Sequence, residues 1–428
     1  MNSKTKLSTE SYKGVRDFYP EDMFIENYIF DIWRKVCQRF GYVEYNASIL
    51  EPAELYKAKT GDEIVNEQTY TFKDRGDREV TLRPEMTPTV ARMVAARRGE
   101  LSFPLRWFSI PNLFRYEKPQ KGRLREHWQL NVDIFGVADI SADIEIIVLA
   151  DALMKEFGAK QEDYSIRINS RKLMNDFFEH FKLNPVNSYK ISKLIDKKNK
   201  IPQESFEMAV REIIPESAHE FLRAMSSNDK FLETFDEENK NSLELIELVE
   251  KLEGRGVKGV EFDPTLMRGF DYYSGIVFEI YDTNPENPRS IFGGGRYDDL
   301  LDIFGVQKVP AFGFGKGDVV IKDFLESRKL IPPYSSSTKI YICLVDRNYT
   351  ENAIGLSDTL RSEGVAVAVD LSQRKVGDQI KVADKQKIPY VICVGENEAK
   401  SDIYTLKKLD SGEEKKLKIE EIVKEVKK

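Results

Sequence analysis

A cationic loop that runs directly into a strand of alternating polarity, between positions 114 and 136, constrains the fold more than any other part of this chain. From Trp128 to Ile134 every second residue is apolar, which predicts a strand with one face in a core. The opposite face carries an amide and a carboxylate four residues apart, Gln129 and Asp133. The loop in front of the strand supplies five basic side chains: Arg115, Lys118, Lys121, Arg123 and Arg125.

Together, the basic loop and the polar strand face predict a binding site. Rigid guanidinium groups match the geometry of a phosphate, and a polar strand face suits a small zwitterion. We therefore expect a nucleotide phosphate to bind beside an amino acid. The alternative is an exposed hairpin with a solvated basic tip, since charged turns are common.

The composition is that of a globular protein with more than one domain. The 428 residues are too many for one ordinary core. No run approaches the roughly 18 apolar residues of a transmembrane helix, and the first residues lack the apolar stretch of a secretory signal. The three cysteines lie far apart in apolar surroundings, as reduced core residues of a cytosolic protein do: Cys37, Cys343 and Cys393.

The charge balance excludes a protein that coats nucleic acid without selectivity. Its 65 basic and 72 acidic residues give a net charge of −7, whereas such proteins carry strongly basic domains. A large RNA held by local basic patches remains compatible with this charge. We expect a cytoplasmic protein with no metal site of its own and with neither a membrane nor DNA as a partner.

Several segments show clear secondary-structure signals. Residues 21–40 have helical spacing of apolar positions. At 84–88, Thr87 is predicted as the N-cap and Pro88 as the first residue of a helix that reaches about Arg98, which places Glu85 at the mouth of that helix. A charged, mostly helical module is predicted at 170–245. A linker at 331–337 precedes a compact α/β unit, 338–428, whose strands alternate with helices.

Two further clusters combine glycine with functional side chains. The segment 266–275 places Arg268 close to a glycine and to two tyrosines, Tyr272 and Tyr273, which predicts a ligand site. The alternative is that the two tyrosines are core aromatic residues of a strand. The segment 293–300 begins with three consecutive glycines. These predict either a flexible surface turn or a tight sheet floor under a flat or phosphorylated ligand.

Taken in order, these clusters, with 310–318, resemble the class II aminoacyl-tRNA synthetases, and specifically the histidyl-tRNA synthetase family. The resemblance covers nearly the whole chain, and the segment Arg268-Gly269-Phe270-Asp271-Tyr272-Tyr273 is its most discriminating part. It implies an α+β fold built on the class II antiparallel sheet, with a helical insertion and a C-terminal α/β anticodon-binding domain. The implied domains are a catalytic core in two parts, 1–169 and 246–330, the insertion at 170–245, and the anticodon-binding domain at 338–428.

The resemblance also implies an enzyme that ligates L-histidine to its tRNA through a histidyl-adenylate, using ATP with Mg2+, as a homodimer. Arg115 and Arg268 would be catalytic. The residues implied for histidine are Glu85, Thr87, Arg115, Gln129, Asp133, Arg268, Tyr272 and Tyr273. Those implied for ATP are Arg115, Glu117 and Arg123, and those for tRNA are Gln120 and Lys121.

Three positions, in two segments of the chain, depart from the family pattern. The third class II motif usually ends in an acid and an arginine that packs on ATP, and this chain carries Val319 and Val320 in their places. Asp133 stands where a glutamate is common, so the acid is shorter by one methylene. The alternative function is a histidine-sensing, synthetase-like regulatory subunit of ATP phosphoribosyltransferase, a paralogue that lacks the anticodon-binding domain. A generic RNA-binding protein accounts for the basic loop but not for the glycines or Arg268.

Overall fold

The computed structural model describes residues 7–57, 68–118, 120, 122–267, 272–287, 289–372 and 374–427. The chain divides into two compact units, Met1–Ile331 and Pro332–Lys428. In the first unit the helices are α1 (Pro20–Arg39), α2 (Glu54–Lys57), α3 (Thr87–Ala96), α4 (Ser141–Glu156), α5 (Arg171–His180), α6 (Pro185–Lys197), α7 (Gln203–Ile213), α8 (Ala218–Ala224), α9 (Asn228–Leu232), α10 (Lys240–Glu253) and α11 (Asp318–Ser327). Its strands are β1 (Val43–Glu44), β2 (Leu50–Pro52), β3 (Tyr70–Lys73), β4 (Glu79–Leu82), β5 (Leu105–Ser109), β6 (Asn112–Phe114), β7 (Glu126–Phe135), β8 (Tyr164–Ser170), β9 (Val260–Phe262), β10 (Ile276–Asp282), β11 (Ser290–Arg296) and β12 (Ala311–Gly317).

A large sheet forms the centre of the first unit, in the order β1-β5-β7-β12-β11-β10-β8-β9 with β6 beside β7. The pairs from β5 through β8 along this path are antiparallel, and only the outermost pairs, β1 with β5 and β8 with β9, are parallel within the described residues. Helices pack on this sheet, so the predicted α+β class with an antiparallel sheet is confirmed. A smaller sheet, β2-β4-β3, lies in the same unit.

One face of the large sheet is closed by the long helices and is mostly apolar, although Lys316 of β12 is fully buried there, with its Nζ 4.4 Å from the centre of the Phe292 ring. The predicted alternation places Leu130, Val132 and Ile134 in this core, where they are at most 1% exposed. Helices α1 and α4 contribute Trp33 and Ile147 to the same cluster. The opposite face carries polar residues and glycines beside a smaller apolar cluster, in which Leu105 and Phe135 of the sheet pack with Val90 of α3.

Helices α5 to α10 occupy 171–253 and pack around a group of phenylalanines. Phe177 stacks on Phe231 with ring centroids 4.4 Å apart and contacts Phe221 at 5.3 Å. The helical character expected there is present and continues to Glu253. Division of the first unit at residues 169, 245 and 330 stays a prediction.

The second unit is a mixed sheet flanked by helices. Its strands are β13 (Ile340–Leu344), β14 (Val367–Val369), β15 (Tyr390–Val394), β16 (Tyr404–Lys408) and β17 (Glu414–Leu417), in the order β14-β13-β15-β16-β17. Its helices are α12 (Thr350–Ser362), α13 (Val376–Lys385), α14 (Glu396–Lys400) and α15 (Ile419–Val426). Strands β14, β13 and β15 are parallel, which agrees with the alternation of strands and helices in the sequence.

Within the described part of the chain, no helix has both the length and the apolar character needed to cross a membrane.

Candidate active site

The start of α3 places a carboxylate and a hydroxyl at the polar face of the sheet. Glu85 is 2% exposed, and its Oε2 accepts a hydrogen bond of 3.0 Å from the Tyr272 hydroxyl. The prediction of Thr87 as N-cap is wrong by one residue, since Met86 is the N-cap and its carbonyl accepts the first helical bond, from Val90. Thr87 is therefore the first helical residue, and Tyr272 lies beside both Thr87 and Glu85.

The polar face of β7 carries three side chains in a row, of which Gln129 and Asn131 line a cavity on this face and Asp133 is buried outside its lining. Gln129 donates from Nε2 to Oδ1 of Asn131 over 2.8 Å, which orients the amide. Asp133 is 3% exposed and accepts a hydrogen bond from the Tyr297 hydroxyl through Oδ1, while its Oδ2 has no partner among the described residues. Burial raises the pKa of Asp133 to about 7. An ionisable group of this kind with an open acceptor is a candidate for binding a ligand N–H group.

Glycines of β11 and β12 form the floor between these side chains, as the sheet-floor interpretation predicts. Gly295 pairs with Gly313 and Gly293 with Gly315 across the two strands. A Cβ atom at Gly313 would lie 2.3 Å from Oδ1 of Asp133, and one at Gly315 would lie 2.3 Å from Nε2 of Gln129. These glycines are required because the polar side chains of β7 occupy the space that a side chain would need.

We expect Gly313→Ala to destabilise the first unit by about 1–3 kcal/mol, because the added methyl forces the buried Asp133 carboxylate and the Val132 carbonyl to move. The measurement is urea unfolding followed by tryptophan fluorescence. The control is Gly99→Ala, where no atom lies within 4 Å of the added methyl, and we expect a change within about 0.5 kcal/mol. Equal unfolding midpoints for the two variants would contradict the close packing of the floor.

Two cavities open on this face of the sheet. The glycine cavity, about 190 Å³, is bounded by the floor and by Glu85, Thr87, Tyr272 and Tyr273. The loop cavity, about 200 Å³, is bounded by the basic loop and by the start of α11. Arg115 and Gln129 line both cavities, so a molecule in one would meet a molecule in the other at these two side chains.

A hydrogen bond to the backbone holds the Arg115 side chain between the two cavities. Its Nε donates to the carbonyl of Pro84 over 2.9 Å, and within the described residues no hydrogen bond engages Nη1 or Nη2. Desolvation, followed by the charges of Arg115 and Arg16, lowers the pKa of the adjacent His127 to about 3. His127 is therefore neutral, and the guanidinium of Arg115 is the local cation that can meet an anionic ligand.

The two other side chains expected to contact the nucleotide lie together at the rim of the loop cavity. Arg123 Nη1 and Glu117 Oε2 are 3.2 Å apart, and the backbone of Arg123 bonds to that of Gln120 in a tight turn at the loop tip. Arg125 supports this loop from behind, since its guanidinium carbon lies 4.1 Å from the centre of the Tyr116 ring. Lys121 and Arg268 lie outside the described residues.

The two valines that replace the usual acid and arginine of the third class II motif lie in the first turn of α11. Val319 and Val320 line the loop cavity, and Asp318, which is fully buried, accepts hydrogen bonds from Arg16 and from the backbone N–H of Trp128. Arg16 also lies 3.5 Å from the buried carboxylate of Glu26. Sequence reasoning missed Arg16 and Asp318 as a pair, because 302 positions separate them and neither motif signals the other.

Sequence reasoning also missed Asn131 and Tyr297 as site residues, although both stand inside segments that it singled out. Asn131 lies on the polar face between Gln129 and Asp133, and the alternation of the strand is enough to predict that position. Arg296, next to Tyr297, points away from the site and donates to the carbonyls of Val137 and Asp139.

Comparisons with known proteins agree with this architecture. The family model described as histidyl-tRNA synthetase matches residues 14–316, and the anticodon binding domain model matches 339–428. A histidine–tRNA ligase of Leptospira biflexa is 43% identical over 95% of this chain and 94% of the relative. One of Thermoplasma volcanium is 36% identical over 97% of this chain and 98% of the relative.

Solved structures show the same fold. A histidyl-tRNA synthetase from Nostoc sp. superposes with a TM-score of 0.83 at 22% identity, covering 99% of both chains. A protein from Bacillus halodurans described as an ATP phosphoribosyltransferase regulatory subunit/histidyl-tRNA synthetase superposes with a TM-score of 0.75 at 24% identity, covering 91% of this chain and 99% of the other. The fold of this chain is therefore the one found in these solved structures. With family models matched along most of its length and relatives at 43% identity, the chain belongs to the histidyl-tRNA synthetase family.

Proposed function

We propose that this protein charges tRNA with histidine in two steps, with histidine in the glycine cavity and ATP in the loop cavity. Membership of the family implies the use of ATP. The observation that carries the proposal is the shared lining of the two cavities, since Arg115 and Gln129 belong to both. A carboxylate in one cavity and an α-phosphate in the other would meet there, which is the geometry that adenylate formation needs.

The glycine cavity matches the three functional groups of histidine. Its ammonium group would bind Glu85 and Thr87, a carboxylate and a hydroxyl that both line this cavity. The Tyr272 hydroxyl orients that carboxylate. The imidazole would bind Asp133 and Tyr273, which lie close together on the same side of the floor.

In the first step a carboxylate oxygen of histidine attacks the α-phosphorus of ATP, and pyrophosphate leaves. Arg115 would stabilise the negative charge that develops on the phosphate, with Glu117 and Arg123 positioning the nucleotide. Arg268, implied by the family motif, would hold the carboxylate and the same phosphate. In the second step the 3′-terminal ribose hydroxyl of tRNA attacks the carbonyl carbon, and AMP leaves.

Magnesium would arrive with ATP and be held mainly by phosphate oxygens and water. The carboxylates of the loop cavity support this assignment, since Glu117 is paired with Arg123 and Asp318 with Arg16. Mg2+ when bound would neutralise charge on the triphosphate, and the protein side chains would orient the α-phosphate.

Transfer RNA would contact the loop tip through Gln120 and Lys121, and the second unit would bind the anticodon. The histidine-sensing regulatory subunit is less supported as an alternative, because residues 339–428 match the anticodon binding domain model.

The proposed tRNA-charging enzyme would act in the cytoplasm.

A homodimer is also part of the proposal. Val43, in edge strand β1, is 63% exposed, and Ile49 and Leu50, which follow it in the sequence, are 36% and 40% exposed. Exposed apolar side chains next to an open sheet edge favour association with a second chain. Sedimentation equilibrium of the full chain would return twice the monomer mass.

The test of the function is ATP–pyrophosphate exchange with each of the twenty amino acids, followed by aminoacylation of unfractionated tRNA. We expect exchange with histidine alone and a labelled tRNA product. A folded protein that binds histidine in calorimetry without supporting exchange would contradict the ligase assignment and favour the regulatory subunit.

A further inference from the structure

Three buried polar atoms lie behind the predicted imidazole site without hydrogen-bond partners among the described residues. They are the hydroxyl oxygens of Tyr45 and Ser109 and Oδ2 of Asp133. Most buried polar atoms in proteins are hydrogen-bonded, so three such atoms on one face of one sheet require an explanation. Neither Tyr45 nor Ser109 belongs to a motif that the sequence analysis singled out.

Strand register brings these residues to the same place. Trp107 pairs with Asp133 and Ser109 with Asn131 across β5 and β7, so both β5 side chains lie on the polar face. Val43 pairs with Trp107 across β1 and β5, and the pairing continues as the backbone N–H of Tyr45 donates to the Phe108 carbonyl over 2.8 Å. Tyr45, two residues after Val43, therefore projects to the same face beside Ser109.

Side-chain contacts support the same placement. The rings of Tyr45 and Trp107 are 5.5 Å apart. Burial raises the pKa of the Tyr45 phenol far above its usual range, the Asp133 carboxyl adds to this increase, and the Ser109 hydroxyl acts in the opposite direction. Tyr45 is thus a near neighbour of both other groups, and Ser109 lowers that pKa as a hydrogen-bonding neighbour does. The three oxygens nevertheless lack the geometry of a direct hydrogen bond to one another within the described residues, so their hydrogen-bonding capacity is not fully used.

The chemistry of the three atoms determines what can bridge them. Two hydroxyls can each donate a proton, and a carboxylate oxygen can only accept one. A water molecule accepts two hydrogen bonds and donates two, so it can accept from both hydroxyls, donate to the carboxylate oxygen and keep one donor for an unprotonated imidazole nitrogen. Buried waters typically make about three hydrogen bonds to otherwise unsatisfied groups.

We propose that Tyr45, Ser109 and Asp133 hold one ordered water at the end of the histidine pocket, and that this water lets the short Asp133 side chain recognise the imidazole. The proposal rests on the function proposed above. Aspartate is the shorter of the two acidic side chains, and the bridging water extends its reach toward the ligand. Tyr45 and Ser109 are specificity-determining positioning residues, because they act on the substrate through the water.

A mutant cycle between Tyr45 and Asp133 tests this role. Tyr45→Phe is expected to lower kcat/KM for histidine in pyrophosphate exchange by about tenfold, mainly through KM, since it removes one donor to the water. Asp133→Glu would displace the water, so in that background Tyr45→Phe is expected to change kcat/KM by less than about twofold. Equal losses in the two backgrounds would overturn the proposal.

Two further variants separate this role from a general effect on folding. Ser109→Ala should cause a similar loss, and the double variant Tyr45→Phe/Ser109→Ala should lose little more than either alone, because both act on one water. Tyr164→Phe removes a buried hydroxyl that bonds to Asp151 in the helix-covered part of the unit, and it should leave kcat/KM unchanged. Additive losses at Tyr45 and Ser109 would contradict a shared water.

A high-resolution crystal structure of the full chain separates failure of this proposal from failure of the function. Density for a water within hydrogen-bonding distance of all three oxygens would support the site, and its absence there would overturn it. If the wild-type protein shows no histidine-dependent exchange, the ligase assignment fails. The Tyr45 and Asp133 variants are then compared by their affinity for histidine in calorimetry instead of by kcat/KM. Direct hydrogen bonds between the Tyr45 hydroxyl and Asp133 in the crystal would likewise exclude a bridging water.

Discussion

Replacing Arg115 with lysine is expected to lower kcat/KM for histidine-dependent pyrophosphate exchange by roughly 10²–10³-fold, the cost of losing one preorganised donor to transition-state charge. Arg115 lines both cavities, and its Nε is anchored on the Pro84 carbonyl, so its terminal nitrogens stand where carboxylate and phosphate would meet. Lysine keeps the charge but has neither this anchor nor a planar fork for two oxygens. Arg115→Ala should lose at least as much.

Two other arginines make the result specific. Arg123 lines only the loop cavity, so Arg123→Lys should raise KM for ATP and leave histidine affinity unchanged. Arg34, in an exposed ion pair with Glu44, should tolerate lysine without loss. If Arg115→Lys keeps exchange within threefold of the wild type, Arg115 does not lie at the reaction centre.

Asp133→Asn is expected to abolish efficient use of histidine, with kcat/KM reduced by 10²-fold or more, yet to stabilise the fold at pH 8. The amide Oδ1 can still accept from Tyr297, but the position of Oδ2 is taken by an NH2 group that cannot accept a hydrogen bond, either from a bridging water or from a ligand. A buried polar pair left unmatched in this way costs both affinity and rate.

The stability gain follows from the raised pKa of Asp133. Folding raises that pKa from 3.8 to about 7, so the folded state holds the proton more tightly than the unfolded state. The stabilising effect of the protonated acid is fully present below about pH 4, is lost as pH rises toward 7, and is absent at pH 8. Tyr297, Tyr45 and Tyr273 face this group and are neutral over the whole range.

Urea unfolding at pH 4.5 and pH 8 measures this difference. Asparagine does not titrate, so the variant should exceed the wild type by up to about 4 kcal/mol at pH 8 and by much less at pH 4.5. The same gap at both pH values would show that the Asp133 carboxyl is not held protonated by burial. A lower stability at pH 8 would contradict the prediction outright.

Much of the site was accessible from sequence because its signals are local. Alternation from Trp128 to Ile134 indicated which face of β7 is polar, and the consecutive glycines indicated a floor without side chains. The family motifs in turn implied roles for Glu85 and Tyr273. The helix start was one residue off at Thr87, because neighbouring positions compete for the cap with small differences in energy.

The family and most of the helices and strands could be predicted from the sequence, since they follow from contiguous motifs and short-range periodicity. The tertiary structure alone decided which distant residues complete the site. Arg16 meets Asp318 across 302 positions, and Tyr45 reaches Asp133 only through the register of β1, β5 and β7. Strand order and register are set by packing of the whole core, so no local pattern encodes them.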